Sequence, residues 1–124
     1  MLSMAVTPAA ILDFVASLPE TGEREYLDDA TIFTFRSRGI GVVSGDGRHL
    51  FVKALLSERD MLVESDPEVY SEWWASGRFG WVRILTDRIE PDEAFELVLE
   101  AWRLTDPTAA TAWARQHGAE ETAP

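Results

Sequence analysis

Four short β-rich runs, separated by tight turns, occupy residues 24–54, and they restrict the possible folds more than any other feature of the chain. The runs are REYL, TIFTFR, IGVV and HLFVKAL. Before the last run, Gly45-Asp46-Gly47 is a strong hairpin signal, and Gly39 and Gly41 are predicted to bracket another turn. Runs this short, with so little chain between them, can pair only as antiparallel neighbours. We therefore predict an antiparallel meander.

Helical patterns lie on both sides of this meander. Thr7 followed by Pro8 is an N-cap with proline at the first helical position, and it predicts a first helix that ends before Pro19. Ser57 with Asp60 resembles a capping box and predicts a short second helix. The third helix is predicted to begin at residue 91, and its buried stripe consists of Phe95, Val98, Leu99 and Trp102.

Between the second and third helices, FGWVRIL returns to the alternation of a strand. Val82 and Ile84 should lie on one face, with Trp81 and Arg83 on the other. The elements together predict a single α+β domain over residues 1–118, with helices one and three packed on one face of an antiparallel sheet. An alanine-rich helix after Asp106-Pro107 is included in this domain, and residues 119–124 are expected to form a flexible tail.

Composition excludes several classes of protein. The chain has no cysteine, so it has no disulfide, no thiolate nucleophile and no zinc site that needs sulfur. Its N-terminal region lacks a basic segment, and no stretch reaches the roughly 18 apolar residues of a membrane span. We therefore expect a cytoplasmic protein with neither a standard secretion signal nor a membrane partner.

The charges are segregated along the chain. The net charge is −11, which argues against a surface that attracts nucleic acid everywhere. Residues 13–29, 58–72 and 90–106 each carry a net charge of −5, whereas residues 30–56 carry +3 and residues 73–89 carry +2. The positive segments coincide with the predicted strands, so we expect acidic helices and a comparatively basic sheet face.

Three motifs in this order, FVKALLSERDML, GWVRI and EAWRLTDP, resemble the MmcQ/YjbR family of small bacterial proteins, and the resemblance covers roughly residues 8–107. It implies a frataxin/CyaY-like fold and, because family members are widely labelled DNA-binding, a nucleic-acid ligand. Two features depart from the family pattern. Gly39-Ile40-Gly41 stands where many members have a Gly-Lys turn, so one basic contact is absent, and the chain extends beyond the usual family end.

The predicted ligand-binding residues are Arg36, Lys53, Trp81 and Arg83. Strand alternation would place Lys53 beside Trp81 and Arg83 on the sheet face opposite the helices, and we expect Arg36 to share that face. Cations beside an aromatic ring suit a planar or anionic ligand. Three interpretations stay open at this point. The face could bind nucleic acid, it could bind a small molecule or a protein, or it could be an ordinary solvated sheet surface.

The adjacent Trp73 and Trp74 are predicted to lie in a loop, because Ser76-Gly77 follows them. In that position one ring would plug the end of a small core, and the role of the other is not determined. We therefore expect at least one of the pair to contribute mainly to packing.

No catalytic constellation is apparent, and we interpret the chain as a non-enzyme without a cofactor. Neither histidine has a serine and an acid at a recognisable spacing, and no phosphate-binding loop is present. Frataxin-like iron binding is a distant alternative. Its candidate ligands are Glu20, Glu23, Glu25, Asp28 and Asp29, whose spacing does not impose a coordination sphere, so no metal is predicted. The sequence makes no prediction of oligomeric state.

Overall fold

The structure is a computed structural model that describes residues 5–105. The strands are β1 (Thr21–Glu25), β2 (Thr31–Phe35), β3 (Arg38–Val43), β4 (His49–Leu55), β5 (Tyr70–Ser76) and β6 (Phe79–Leu85). The helices are α1 (Pro8–Ala16), α2 (Leu56–Ser65) and α3 (Pro91–Thr105), and a short 3-10 turn spans Leu27–Asp29. The predicted helix after residue 106 and the predicted tail lie outside the described residues.

All strands pair antiparallel in one sheet whose order is β1-β2-β3-β4-β6-β5. The predicted meander of four strands and the predicted strand around residue 82 are both present. The remaining strand, β5, was not predicted, and it forms the sheet edge that carries Trp73 and Trp74. The prediction of a loop at this tryptophan pair is therefore wrong.

The core lies between one face of the sheet and the helices. Ile11 and Val15 from α1 meet Val98 and Trp102 from α3 over the buried side chains of the strands. The strands contribute every second residue, since β4 and β6 alternate between buried and partly exposed positions. The α+β fold with helices on one face is therefore confirmed. Helix α2 packs at the margin of the same core through Leu62 and Val63.

The start of α1 follows its sequence pattern closely. Thr7 is the N-cap, and its hydroxyl accepts a hydrogen bond from the Ala10 amide at 3.1 Å. The predicted capping box of α2 is wrong, because the N-cap lies two residues before Ser57, at Leu55, and no side chain caps the helix, which begins at Leu56. Because β4 continues directly into α2, the N-cap position falls on the last strand residue, and the apolar side chain of Leu55 cannot accept a hydrogen bond.

Two turns also differ from their predictions. The first strand ends at Glu25 rather than at residue 27, because Asp28 adopts a left-handed φ of 54° and closes the 3-10 turn. The β2–β3 turn is made by Arg36 and Ser37, both with positive φ. Gly39 and Gly41 therefore lie within β3 and do not bracket a turn. A Cβ at Gly41 would overlap the Phe33 ring, so packing explains this glycine.

No helix within residues 5–105 is long and apolar enough to cross a membrane. In the same part of the chain, no three His, Cys, Asp or Glu side chains come together as a group that could hold a metal ion.

Candidate functional site

A continuous row of side chains crosses the sheet face that α1, α2 and α3 leave uncovered, from the edge strand β1 to β6, which lies next to the other edge. The strand register pairs Arg24 with Ile32, Ile32 with Val42, Val42 with Phe51, and Phe51 with Arg83. Strands lie about 4.8 Å apart, so the two arginines are separated by roughly 19 Å across the sheet. We call the surface built on this row the open face. It has an apolar centre with a cation towards each end.

Four rings on the open face form an aromatic cluster, consisting of Phe51, Trp73, Trp74 and Trp81. Trp74 and Trp81 stack with an interplanar angle of 11° and a centroid distance of 5.8 Å. The Trp73 ring lies 4.4 Å from Phe51 and 5.8 Å from Trp81. Trp73 and Trp74 are nevertheless 40% and 47% exposed, whereas Trp81 is partly buried. The cluster thus presents ring faces and edges to solvent.

A bulge in β5 explains how two adjacent tryptophans reach the same face. Glu72 pairs with Val82 and Trp74 pairs with Trp81, so Trp73 is an extra residue without a partner on β6. Without the bulge, neighbouring side chains would point to opposite faces. The expectation that one of these rings plugs the end of the core is wrong, because both rings contact Trp81 on the open face.

Lys53 and Trp81 are directly opposite each other in the β4–β6 register, as the strand alternation predicted. The Lys53 ammonium lies 4.4 Å from the centroid of the Phe79 ring, within cation–π distance. Partial burial, and then the like charge of Arg38, lower the pKa of Lys53 from its usual value. Lys53 is therefore partly desolvated among aromatic rings, which strengthens its attraction for an anion.

Arg83 also lies on the open face, opposite Phe51. Its Nε donates a hydrogen bond to the Ser71 hydroxyl at 3.0 Å, and its side chain is exposed. This contact orients the guanidinium beside the aromatic cluster and leaves its terminal nitrogens available for a ligand. Of the four predicted binding residues, Lys53, Trp81 and Arg83 are therefore brought together.

Arg36 is not part of this group. It lies in the β2–β3 turn, donates to both carboxylate oxygens of Glu20 at 2.9 Å, and borders a cavity with Arg38 and Thr105, the last residue of α3. The expectation that Arg36 shares a face with Lys53 and Arg83 is wrong, because its left-handed backbone ends β2 and takes the residue out of the strand alternation.

Arg24 takes the place that sequence reasoning assigned to Arg36. It is exposed, it lies opposite Ile32 on the open face, and it has no ion-pair partner within residues 5–105. The sequence signal was available but weak. The sequence pattern placed the strand at residues 24–27, with Arg24 at its very start. The observed strand begins at Thr21, and Arg24 therefore pairs with Ile32 inside the sheet and shares its face.

Acidic side chains are absent from the open face among the strand residues that the structure describes. Glu23 lies opposite the buried Phe33 and Glu72 opposite the buried Val82, so both are on the helix side, and alternation places Glu25 with Glu23. On the described strands the acids therefore lie on the helix side, whereas Arg24, Lys53 and Arg83 lie on the open face. The predicted set of cations is wrong in one member, because Arg36 is not on this face.

A shallow apolar groove runs along the aromatic cluster. It has a volume of about 140 Å³ and is lined by Tyr26, Ile32, Gly39, Val42, Trp73, Trp74 and Trp81. Enclosed small-molecule sites usually measure roughly 300–1,000 Å³, so the groove can hold one ring system but cannot surround a larger ligand. Its lining offers rings for stacking rather than groups for acid–base chemistry.

Comparison with known proteins bears on the family and the fold. The family model described as YjbR matches residues 16–104. The crystal structure of Deinococcus radiodurans protein DR2400, with a DUF419 domain, superposes with a TM-score of 0.74 at 17% sequence identity, covering 99% of this chain and 96% of that one. At this identity the superposition supports the fold alone. No curated protein matches the chain significantly.

Proposed function

From the premise that the chain belongs to the YjbR family, we propose that it is a non-enzymatic binding module whose open face takes single-stranded nucleic acid. Family membership accounts for the fold and does not name a ligand. The ligand is inferred from the side chains of the open face.

One observation carries the proposal: an exposed aromatic cluster lies on a sheet face to which the described strands contribute Arg24, Lys53 and Arg83 and no acidic residue. Single strands expose base faces that stack on aromatic rings, while nearby cations contact the phosphates. Since the protein has a net charge of −11, the location of these cations matters more than the total. A single-stranded nucleic acid that lay across the sheet from Arg24 to Arg83 would have positive side chains near its phosphates.

The geometry favours a single strand over a duplex. Bases in a duplex are stacked on one another and cannot present their faces to Trp74 or Trp81. Duplex binding draws most of its affinity from many phosphate contacts, and the open face offers three cations for that purpose. The row from Arg24 to Arg83 suits a site of about four nucleotides, the lower end of the range for sheet-based single-strand binders.

A second candidate ligand is an apolar segment of another protein, lying in the same groove. The observation that favours it is the exposure of Trp73 and Trp74 together, since tryptophans are frequent anchors of protein interfaces. This ligand would not require the cations. Salt dependence therefore distinguishes it from nucleic acid.

The proposal is tested by fluorescence anisotropy with an oligothymidylate of about 12 nucleotides and a duplex of equal length, at roughly 50 mM and 200 mM salt. We expect the single strand to bind more tightly at both salt concentrations. Trp74→Ala should weaken its binding about 5- to 150-fold, corresponding to the loss of roughly 1–3 kcal/mol of stacking. Met61→Ala is the matched control, because Met61 is an exposed apolar residue on α2.

Two results would contradict the proposal. One is the absence of oligonucleotide binding by the wild-type protein at the lower salt concentration. The other is binding that the duplex shares equally and that Trp74→Ala leaves unchanged.

A further inference from the structure

Gly39 is a glycine that the fold itself does not require. Its φ lies outside the left-handed region, and a Cβ built at this position would meet only the Ile32 Cγ2 atom, at an ordinary contact distance of 3.5 Å. Gly45 is different, since a side chain there would collide with the backbone of Asp28. The missing side chain at Gly39 has one evident consequence, which is that no side chain from this position fills the apolar groove that Gly39 lines.

The groove at Gly39 has the dimensions and chemistry of a site for one planar ring. Ile32 and Val42 pack against each other and against Trp81 at its base, and the exposed Tyr26 and Trp74 border it. Apart from the Tyr26 hydroxyl, the lining side chains carry no oxygen, and Gly39 adds no side chain of its own. A flat aromatic ligand can therefore insert by stacking and apolar contact.

The surrounding charges indicate which planar ligand fits. Lys53 lies opposite Trp81, Arg24 lies opposite Ile32, and no acid from the strands shares this face. A ring attached to a phosphate backbone would have its apolar part in the groove and its anions beside these cations. A neutral apolar side chain of a protein would leave Lys53 and Arg24 without partners.

We infer that the groove holds a single unstacked base of the bound strand and that Gly39 keeps this base site open. The inference rests on the proposed function and specifies how the strand is held. The lining side chains that can hydrogen-bond are the Tyr26 hydroxyl and the indole N–H donors of the three tryptophans. Every base has acceptors for such donors, and stacking does not depend on base identity, so the site accepts bases with little discrimination between them.

The test compares an oligothymidylate with an abasic oligonucleotide of the same length, which carries the same phosphates without bases. We expect wild-type protein to prefer the oligothymidylate by at least about fivefold, the effect of one stacked base. Gly39→Leu should remove most of this preference while leaving abasic binding and its salt dependence unchanged. Gly39→Ala, which adds only a methyl group, should give an intermediate preference. Circular dichroism and thermal unfolding check that both variants fold.

Each other outcome is decisive. If Gly39→Leu folds and keeps the full preference, the base site is elsewhere, while single-strand binding by the open face still stands. If wild-type protein binds the two oligonucleotides equally, no base stacks on the protein, and the base site and the stacking contacts of the proposed function both fail. If wild-type protein binds neither oligonucleotide, the proposed function fails and the base site with it. If wild-type protein is a dimer by sedimentation and Gly39→Leu is a monomer, a second copy occupies the groove and the inference is overturned.

Discussion

At the scale of single residues, the tryptophans within residues 5–105 have two different roles. Trp102 is fully buried, donates a hydrogen bond from Nε1 to the Pro19 carbonyl at 3.1 Å, and meets Phe35 edge to face. Trp74 lies on the opposite side of the sheet and exposes nearly half its surface. The first supports the fold, whereas the second is available to a ligand.

Trp102→Ala should therefore destabilise the protein by about 3–5 kcal/mol, the usual effect of deleting a large buried aromatic side chain. Chemical denaturation measures this change in the free energy of unfolding. Trp74→Ala is the matched control and should have an effect below about 1 kcal/mol, because nearly half of this side chain is exposed and it lies on the edge strand, outside the core. Equal losses in the two variants would contradict the division between core and surface tryptophans.

At the scale of elements, β5 is the strand that sequence reasoning missed, and the reason is physical. Its residues Tyr70–Ser76 are mostly exposed, so they lack the alternation of buried and exposed side chains that reveals β4 and β6. The bulge at Trp73 disturbs the pattern further. An edge strand stabilised by pairing and by a neighbouring helix leaves little periodic signal in its own sequence.

Helix α2 helps to hold the edge strand β5 in place. Arg59 is a buried arginine on this helix, and its guanidinium lies 3.4 Å from the Trp74 carbonyl, 3.2 Å from Asp60 and 3.8 Å from Glu72. Its stem packs where a side chain at Gly80 would otherwise lie. Arg59 thus connects α2 to the bulged part of β5.

Arg59→Ala should lower stability by about 1–3 kcal/mol, because it removes buried contacts and leaves the Trp74 carbonyl without this donor. It should also shift tryptophan fluorescence to longer wavelength as the edge strand loosens. Arg103→Ala is the control, since Arg103 pairs with Glu100 on a partly exposed helix surface, where such pairs contribute about 0.5 kcal/mol or less. Similar losses for both variants would show that Arg59 does not hold β5.

The other end of β5 is connected to α3. The Tyr70 hydroxyl donates to Glu93 at 3.1 Å, and burial together with the Glu93 charge raises the pKa of Tyr70 above its usual value near 10. Because the folded state favours the neutral phenol, its contribution to stability is complete below about pH 10 and is lost as the pH rises from there.

Urea unfolding between neutral and alkaline pH tests this linkage. The wild-type protein should lose stability more steeply above about pH 10 than Tyr70→Phe, which has no proton to release. Parallel curves for the two proteins would mean that Tyr70 ionises with equal ease in the folded and unfolded states.

At the scale of the whole molecule, the fold places strand cations on the open face and strand acids on the helix side. The predicted basic segments did indicate an open face free of strand acids, and alternation placed Lys53, Trp81 and Arg83 correctly. The place of Arg36 could not be predicted, because it depends on a left-handed turn that ends β2 one residue earlier. Arg24 was missed because the predicted strand began at this residue. The observed strand begins three residues earlier, at Thr21, so that Arg24 is paired within the sheet.

This arrangement limits the salt dependence of nucleic-acid binding. With three strand cations on the open face, the logarithm of affinity should fall with the logarithm of salt concentration with a slope of about −2, from roughly −0.7 per phosphate on a single strand. Arg24→Ala should reduce the magnitude of that slope by about 0.7. A slope steeper than about −4 would require phosphate contacts beyond the open face.

The chain has one lysine, and it is Lys53. Reagents that acylate amines therefore have a single side-chain target, and it lies at the centre of the proposed binding surface, with a lowered pKa that increases the fraction of reactive free amine. Covalent attachment to a sensor surface through amines would orient part of the population with this face against the support. Capture through a terminal affinity tag keeps the face accessible, and acetylation by a small reagent becomes a selective way to block it.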